Sequence, residues 1–199
     1  QDYALTGTVD LRTNIPLAYF SWHDFGMWKN VVLEQQQPLP PQKKIAAAFI
    51  SNCGFKKRIQ MVHDLMERLP RVDAFGRCFA HKVAPGQDVK LKSLDQYKFS
   101  LAFENSETKD YVTEKLFGAW VSGSVPVYLG APNVKFFAPD TTPYPYESNA
   151  LIRTGDFQDD ANVLAQVLDT LDRHPALYSD LLAWKTNGFS DDFKALVDL

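Results

Sequence analysis

The fold is decided by three consecutive stretches: YKFSLAFENS at residues 97–106, DYVTEKL at 110–116 and GSVPVYLG at 123–130. The first stretch is apolar and aromatic as far as Phe103, which is typical of a buried strand, and then turns polar. The last stretch is a second apolar strand. The order strand, polar loop, helix, strand predicts a parallel α/β unit. Its polar residues collect at the strand ends, where such folds bind their ligands.

The middle stretch predicts a helix whose first turn is charged. Asp110 or Thr113 can cap this helix by accepting hydrogen bonds from its free backbone N–H groups. An apolar stripe with helical spacing follows, made of Leu116, Ala119, Trp120 and Gly123. Glu114 and Lys115 then lie in the first turn, where unpaired amides and the helix dipole favour an anion. The residue types therefore suit a nucleotide, with Lys115 on a phosphate and Glu114 on the ribose hydroxyls.

Each of these polar residues also has an ordinary structural explanation. A glutamate in the first turn of a helix suits the helix dipole, and a lysine there commonly points to solvent. Asn105 follows a strand end, where asparagine is a frequent turn residue. Tyr111 taken alone is a packing residue. From residue types alone, both explanations stay open.

The three stretches resemble the α1,3/4-fucosyltransferases of glycosyltransferase family 10. Those enzymes carry Phe-Glu-Asn, a short spacer, Tyr-Val-Thr-Glu-Lys and a Val-Pro-Val strand that ends in glycine. This chain has every part in that order and spacing. The resemblance extends from about residue 14 to residue 199. It implies a GT-B fold, with two Rossmann-like domains facing a cleft, and it makes most of this chain the C-terminal, GDP-fucose-binding domain.

A second part of the implied donor site lies earlier in the chain. SNCG at residues 51–54, followed by Arg58, resembles the family's strand-to-helix turn, whose arginine meets the diphosphate of the donor. A guanidinium at the start of a helix can hold two phosphate oxygens at once. Without the resemblance, Arg58 is better explained as a solvated surface residue beside Lys56 and Lys57.

The resemblance assigns the remaining donor contacts residue by residue. Asn105 and Tyr111 match positions that contact the nucleotide, Glu114 matches the residue that holds the ribose, and Lys115 matches the one that neutralises phosphate. No Asp-x-Asp triplet occurs in the chain. We therefore expect cationic side chains, rather than a metal, to balance the diphosphate, and we expect no cofactor.

The acceptor is less clearly indicated. AAFISNC at residues 47–53, PLAYFSW at 16–22 and FKALVD at 193–198 are most similar to plant-type enzymes, which add α1,3-fucose to the innermost N-acetylglucosamine of N-glycans. VPVYLGAPN at 125–133 also resembles the Lewis-type members. The implied reaction is inverting transfer of L-fucose from GDP-fucose to an N-acetylglucosamine hydroxyl of a glycan or glycoprotein.

One part of the family pattern has no counterpart here. Family members carry a longer N-terminal acceptor domain, whose glutamate is the general base, and no position of this chain matches the segment that carries this glutamate. His23 and Asp24 are better explained as structural residues than as substitutes, so the catalytic residue is unknown. We expect a fragment or natural truncation that holds the donor half. The alternative function is a module that binds GDP or GDP-fucose without turnover.

Composition sets further bounds. The chain has 199 residues, a formal net charge of −3 and 45% hydrophobic residues, which is the balance of an ordinary globular domain. No polybasic run supports nucleic-acid binding. No apolar stretch approaches the roughly 20 residues of a membrane helix.

By resemblance, the full-length protein is a single-pass type II membrane protein of the Golgi lumen, with any anchor upstream of Gln1.

The two cysteines, Cys53 and Cys78, are too few for a disulfide scaffold and fit no zinc spacing. Both follow predicted strands of the same domain. A disulfide and two free thiols are therefore equally compatible with the sequence.

The chain divides at a proline-rich linker, QQQPLPP, at residues 35–41. Residues 1–40 are predicted to be the remnant of an acceptor domain together with the linker, with strands near 8–11 and 15–22. Residues 41–199 are predicted to form the Rossmann-like domain. Its further predicted elements are strands at 44–50, 72–75 and 150–152, helices at 57–69, 159–173 and 175–184, a loop at 81–92, and a packed aromatic pair at Phe136 and Phe137.

Overall fold

A computed structural model describes most of the Rossmann-like domain: residues 44–79, 87–140, 150–191 and 193, together with residues 7–8 and 15–16. The last two pieces are the short strands β1 (Gly7–Thr8) and β2 (Ile15–Pro16), which pair in parallel. The predicted boundary near residue 40 and the linker before it lie outside the described residues.

The main sheet has five parallel strands in the order β4-β3-β5-β6-β7. They are β3 (Lys44–Phe49), β4 (Val72–Phe75), β5 (Tyr97–Phe103), β6 (Val125–Leu129) and β7 (Ile152–Arg153). Every residue of β6 is buried, as expected for a parallel strand covered on both faces. The predicted α/β class, a Rossmann-like parallel sheet with flanking helices, is confirmed.

Six α-helices are described around this sheet: α1 (Lys56–Arg68), α2 (Gln87–Leu94), α3 (Glu114–Val121), α4 (Ala161–Arg173), α5 (Pro175–Asp180) and α6 (Trp184–Asn187). On one face, α1 and α4 place Leu65 and Leu168 in a core cluster with the strands. On the other face, α3 and α6 place Leu116, Trp120 and Trp184 in a second cluster. The apolar stripe predicted on α3 is therefore buried as expected.

The strand order creates a switch point between β3 and β5. From β3 the chain moves outward to β4, and it then crosses back to β5 on the other side of β3. The helices α1 and α3, which follow these two central strands, consequently cover opposite faces of the sheet. In open α/β sheets, ligands usually bind at the carboxyl ends of the strands that flank such a switch point, which here are β3 and β5.

The predicted loop at 81–92 is wrong from Gln87 onward, because α2 spans Gln87–Leu94. Its apolar residues, at 89, 91 and 94, include only one helical spacing, so the sequence shows no helical face. Leu94 is fully buried in a cluster with Tyr97. Packing rather than periodicity thus supports this helix.

Three smaller predictions also need correction. Phe136 is 60% exposed whereas Phe137 is buried, because they lie in a 3-10 helix, where successive side chains point in different directions. The sequence pattern places Val163 on the apolar face of α4 with Leu164 and Leu168, but Val163 is exposed because the buried face is narrower than this pattern. The single helix predicted at 175–184 is two short helices, α5 and α6, joined by a turn.

Candidate functional site

Arg58 joins the two strand ends at the switch point. It lies in the first turn of α1, yet it is only 1% exposed. Its Nη1 donates to the carbonyl oxygen of Phe103 at 3.0 Å, and its Nη2 donates to the carbonyl oxygen of Asn52. Burial lowers the pKa of the Arg58 guanidinium, although the nearby charge of Glu104 opposes this. The alternative of a solvated surface arginine is therefore wrong.

The turn that follows β3 is tied to the segment that follows β4. Cys53 and Cys78 form a disulfide with a Cα–Cα distance of 5.6 Å. Arg77 Nε also donates to the carbonyl oxygen of Ser51 at 3.3 Å. Of the two alternatives that the sequence left open for the cysteines, the structure has the disulfide, and it holds the turn whose carbonyl accepts from Arg58.

The carboxylate of Glu104 lies at the centre of the site, directly after β5. It is fully buried. Oε1 accepts from the backbone N–H of Thr113 at 2.8 Å, and Oε2 accepts from Thr113 Oγ1 at 2.8 Å and from Lys115 Nζ at 3.2 Å. Burial raises the pKa of Glu104, while Lys115 and Thr113 act to lower it. In the sequence, Glu104 is only one of several polar residues that follow the strand, and nothing in its spacing indicates that it is buried.

Thr113, rather than Asp110, is the N-cap of α3. Its Oγ1 accepts from the backbone N–H of Lys115 at 3.4 Å. The Lys115 side chain also turns inward instead of toward solvent: Nζ donates to Thr113 Oγ1 at 2.8 Å and lies 3.5 Å from Glu114 Oε1. The predicted first-turn pair, Glu114 and Lys115, thus forms one charged network with the strand end of β5.

A further cation, Lys90, belongs to the same electrostatic environment and was missed from the sequence. It lies in α2, which contacts α3. Burial lowers the pKa of Lys90, and the charges of Glu114 and Glu104 oppose this shift. For Glu114, burial acts to raise the pKa, but Lys115 and Lys90 lower it overall. Lys90 cannot be recognised from the sequence, because the charged stretch around it shows no helical face.

Asn105 and Tyr111 meet across the loop between β5 and α3. Asn105 Nδ2 donates to the hydroxyl oxygen of Tyr111 at 3.3 Å, and both residues are half-buried. The Tyr111 backbone N–H donates to the carbonyl oxygen of Thr108 at 3.1 Å. The loop that carries both predicted nucleotide contacts is therefore an ordered turn.

The structure brings the five predicted site residues to one edge of the sheet. Arg58 contacts Phe103, and the next residue, Glu104, contacts Lys115. The remaining predicted residues, Asn105, Tyr111 and Glu114, lie in the loop after β5 and the first turn of α3. His23 and Asp24 lie outside the described residues.

Two other properties of the described residues bear on function. No three of their His, Cys, Asp and Glu side chains converge in a way that could hold a metal ion. None of their helices is long and apolar enough to cross a membrane.

Residues 39–195 match the family model for the C-terminal part of glycosyltransferase family 10, the fucosyltransferases. This chain belongs to that family. The matched residues include the whole five-stranded sheet and all five predicted site residues. The resemblance found in the three opening stretches is thereby confirmed.

Two curated relatives show the range of the family. A fucosyltransferase-like protein of Arabidopsis thaliana is 41% identical over 198 residues, which cover 99% of this chain and 36% of the relative. The GDP-fucose protein O-fucosyltransferase 3 of Xenopus tropicalis is 36% identical over 140 residues, which cover 66% of this chain and 28% of the relative. The chain thus spans about a third of the length of the curated relatives it matches.

A solved structure shares the fold. It is the crystal structure of an α1,3-fucosyltransferase with GDP-fucose, with a TM-score of 0.62 and 22% identity. The match covers 96% of this chain and 56% of the solved chain. At this identity the likeness concerns the fold alone, which is that of the C-terminal domain of a GT-B fucosyltransferase.

Proposed function

We propose that this chain is the donor-binding half of a fucosyltransferase. In this proposal, Arg58, Asn105, Tyr111, Glu114 and Lys115 bind GDP-fucose. The complete enzyme transfers L-fucose, with inversion, to an N-acetylglucosamine hydroxyl of a glycan. Donor binding needs no divalent metal.

The observation that carries the proposal is the meeting of these residues at the switch point of a family 10 domain. Arg58 and Lys115 lie in the first turns of α1 and α3, which pack on opposite faces of the sheet. Lys90 adds a third positive charge nearby. Two helix N-termini together with these cations suit a diphosphate. Glu114, whose carboxylate stays charged, suits ribose hydroxyls.

The proposed chemistry places the main catalytic work of this half on the leaving group. As the acceptor hydroxyl attacks the anomeric carbon of the β-linked fucose, the bond to the GDP oxygen breaks and that oxygen gains negative charge. Lys115 stabilises this charge from a fixed position, which is most effective where water is excluded. Arg58, whose Nη1 and Nη2 already donate to Phe103 and Asn52, adds its positive charge from within the buried strand ends. The proton of the acceptor hydroxyl passes to a carboxylate base outside the described residues.

Glu104 is a poor candidate for that base. A general base must come within hydrogen-bond reach of the acceptor hydroxyl. Glu104 is fully buried, and both its oxygens already accept hydrogen bonds from Thr113 or Lys115. We therefore assign it to the support of Lys115 and of the α3 N-terminus.

The proposed acceptor is the hydroxyl of a glycan. The plant-type stretches favour an N-acetylglucosamine of an N-glycan. The Arabidopsis thaliana relative is a plant protein, whereas the Xenopus tropicalis relative is named for transfer to protein. A glycan acceptor remains our proposal, and the competing acceptor is a protein hydroxyl.

We also propose the Golgi lumen as the location of the full-length protein. The Cys53–Cys78 disulfide supports a secretory compartment, because such bonds persist where the environment is oxidising. A fluorescently tagged full-length protein should colocalise with a Golgi marker. A cytosolic distribution would contradict this part of the proposal.

Calorimetric titration of the chain with GDP, UDP and ADP tests donor binding. We expect GDP to bind, UDP and ADP to bind more weakly, and a chelator to leave GDP affinity unchanged. Absence of GDP binding would overturn the proposed function. Loss of binding in the chelator would overturn only the metal-independent part.

A transfer assay distinguishes the enzyme from a binding module. The isolated chain is incubated with GDP-fucose and either an N-glycan or a peptide that bears serine and threonine. We expect little or no transfer, because loss of a general base alone costs about 10²- to 10⁴-fold in rate. Full-length protein should then transfer fucose to the glycan. If it binds GDP but transfers to neither acceptor, the binding-module alternative is correct.

A further inference from the structure

A reciprocal pair of hydrogen bonds joins the loop after β5 to the loop after β6. The backbone N–H of Asp110 donates to Asn133 Oδ1 at 3.0 Å. In return, Asn133 Nδ2 donates to Asp110 Oδ1 at 2.6 Å. Asp110 is 5% exposed, so solvent competes little for these bonds. The pair closes a ring between two loops that are 23 residues apart in sequence.

The backbone of Asp110 is held in an uncommon conformation. Its φ is +63°, in the left-handed region that non-glycine residues seldom adopt. Aspartate and asparagine tolerate this region better than most residues do. Such a conformation persists only where the surroundings hold it in place, and such residues are concentrated at functional sites. Here Asn133 supplies two of the holding contacts.

The Asp110–Asn133 pair holds the segment that carries Tyr111 and leads into α3, which is part of the proposed donor site. Tyr111 follows Asp110 directly, and the Val112 backbone N–H donates to the Asp110 carbonyl oxygen at 3.0 Å. A second bridge runs parallel to the first: the hydroxyl of Tyr128 donates to the Tyr111 carbonyl oxygen at 3.4 Å and accepts from the Ala131 N–H at 3.1 Å. The entry to α3 is therefore fixed from the loop after β6.

We propose that Asp110 and Asn133 are positioning residues, forming a latch that sets the Asn105–Tyr111 pair and the capped start of α3 before the donor binds. The inference rests on the proposed donor site. Neither residue needs to touch the nucleotide. A preformed loop avoids the entropy cost of ordering on binding, so the latch contributes to affinity through preorganisation.

The chemistry of the pair allows a matched set of variants. In D110N, the new amide oxygen can still accept from Asn133 and the backbone N–H is unchanged, so the latch is kept. In N133D, the amide donor is lost and two carboxylates face each other, so the latch is broken. In the double variant D110N/N133D, the amide and the carboxylate exchange places. An amide N–H can then again donate to a carboxylate oxygen across the two loops, which restores the latch with its roles exchanged.

Hydrogen–deuterium exchange tests the latch without any ligand. Peptides that cover residues 105–113 should exchange faster in N133D than in wild type, and at wild-type rates in D110N and the double variant. Global unfolding in urea serves as the control, because a variant that is merely less stable exchanges faster everywhere. Unchanged exchange of this segment in N133D, or failure of the double variant to restore it, would overturn the latch.

GDP titration tests what the latch does. We expect N133D to bind GDP about tenfold more weakly, the loss that follows from about 1.4 kcal/mol. D110N and the double variant should bind within about twofold of wild type. Equal affinity in N133D despite faster exchange would overturn the positioning role. If wild type itself binds no GDP, the proposed function fails instead, and the exchange data still decide whether the latch exists.

Discussion

The two ends of the sheet differ in how deeply their most buried ion-paired carboxylate lies. At the amino end, a groove of about 570 Å³ lies between α1 and α4, with Arg71, Asp169, Asp172 and Arg173 among its lining residues. Its ion pairs vary in exposure: the side chains of Arg173 and Asp169 are 72% and 36% exposed, whereas that of Asp172, which pairs with Arg71 and Lys98, is 11% exposed. At the carboxyl end, the side chains of Lys115 and Glu104 are 16% and 0% exposed.

Cavity volume does not indicate where the proposed functional site of this protein lies. The described cavity at the carboxyl end, beside β6 and β7, is only about 170 Å³, yet the five residues that we propose bind the donor lie at this end. Exposed ion pairs contribute little to stability and arise easily on a charged surface. Buried charges are costly unless their partners are held in place. In this domain the proposed site is therefore marked by its fully buried carboxylate, Glu104, and not by the larger groove.

The largest expected effect comes from removing the buried carboxylate. Glu104→Ala leaves the Thr113 N–H without its acceptor and removes the buried carboxylate that pairs with Lys115, so we expect the free energy of unfolding to fall by about 3 kcal/mol. Asp169→Ala is the matched control at the amino end, with an expected loss of less than about 0.5 kcal/mol. Urea denaturation measures both. Equal losses would remove the distinction between the two ends.

The next effect concerns ligand affinity rather than stability. Lys115→Ala should weaken GDP binding by about 1.5–3 kcal/mol, the range for a hydrogen bond to a charged group. Lys44→Ala, at the amino end, removes the same charge and should leave the affinity unchanged. Calorimetric titration of the two variants compares them. If Lys115→Ala binds GDP like wild type, Lys115 does not belong to the donor site.

Two glycines at the carboxyl end of the sheet, Gly130 and Gly155, differ in the space available for a side chain. A Cβ on Gly130 would lie 2.5 Å from the Tyr128 hydroxyl oxygen and 2.6 Å from Glu104 Cγ. Gly130→Ala should therefore destabilise the domain by about 1–3 kcal/mol. A Cβ on Gly155 meets nothing within 4 Å, so Gly155→Ala should change stability by less than about 0.5 kcal/mol. Thermal unfolding that shifts equally in both variants would show that the contact at Gly130 relaxes freely.

The smallest expected effect is on the pH dependence of stability, to which Glu104 and Asp172 contribute in opposite directions. Burial raises the pKa of Glu104 above its ordinary 4.5. The folded state therefore binds more protons, and stability falls as pH rises from 4.5 through the higher folded value. For Asp172, burial acts to raise the pKa, but ion pairs with Lys98 and Arg71 lower it below 3.8 overall. Its contribution is full above 3.8 and is lost as pH falls through the lower folded value.

Urea denaturation between about pH 3 and pH 7 measures how the free energy of unfolding changes with pH. The slope from each of the two groups is at most about 1.4 kcal/mol per pH unit. Glu104→Gln should remove the fall on the alkaline side of 4.5, and Asp172→Asn should remove the fall on the acid side of 3.8. A Glu104→Gln variant with the same alkaline slope as wild type would show that another group titrates there.

The sequence predicted the elements that have strong local patterns. The apolar strands β3, β5 and β6 and the amphipathic helix α1 appear where expected, within one or two residues at their ends. The family's spacing also predicted which loops carry polar residues. Helix α2 was missed because its support comes from packing of Leu94 and not from a periodic face. Lys90 was missed with it.

The sequence by itself determined the α/β class, the family and the candidate donor residues, because apolar runs and motif spacing are local properties of the chain. Only the tertiary structure decided that Arg58 is buried between two strand ends and that Lys115 turns inward to Glu104. It also decided that Asn133 holds Asp110. These contacts join segments brought together by the strand order, and a hydrogen bond between distant segments leaves no periodic signal in the sequence.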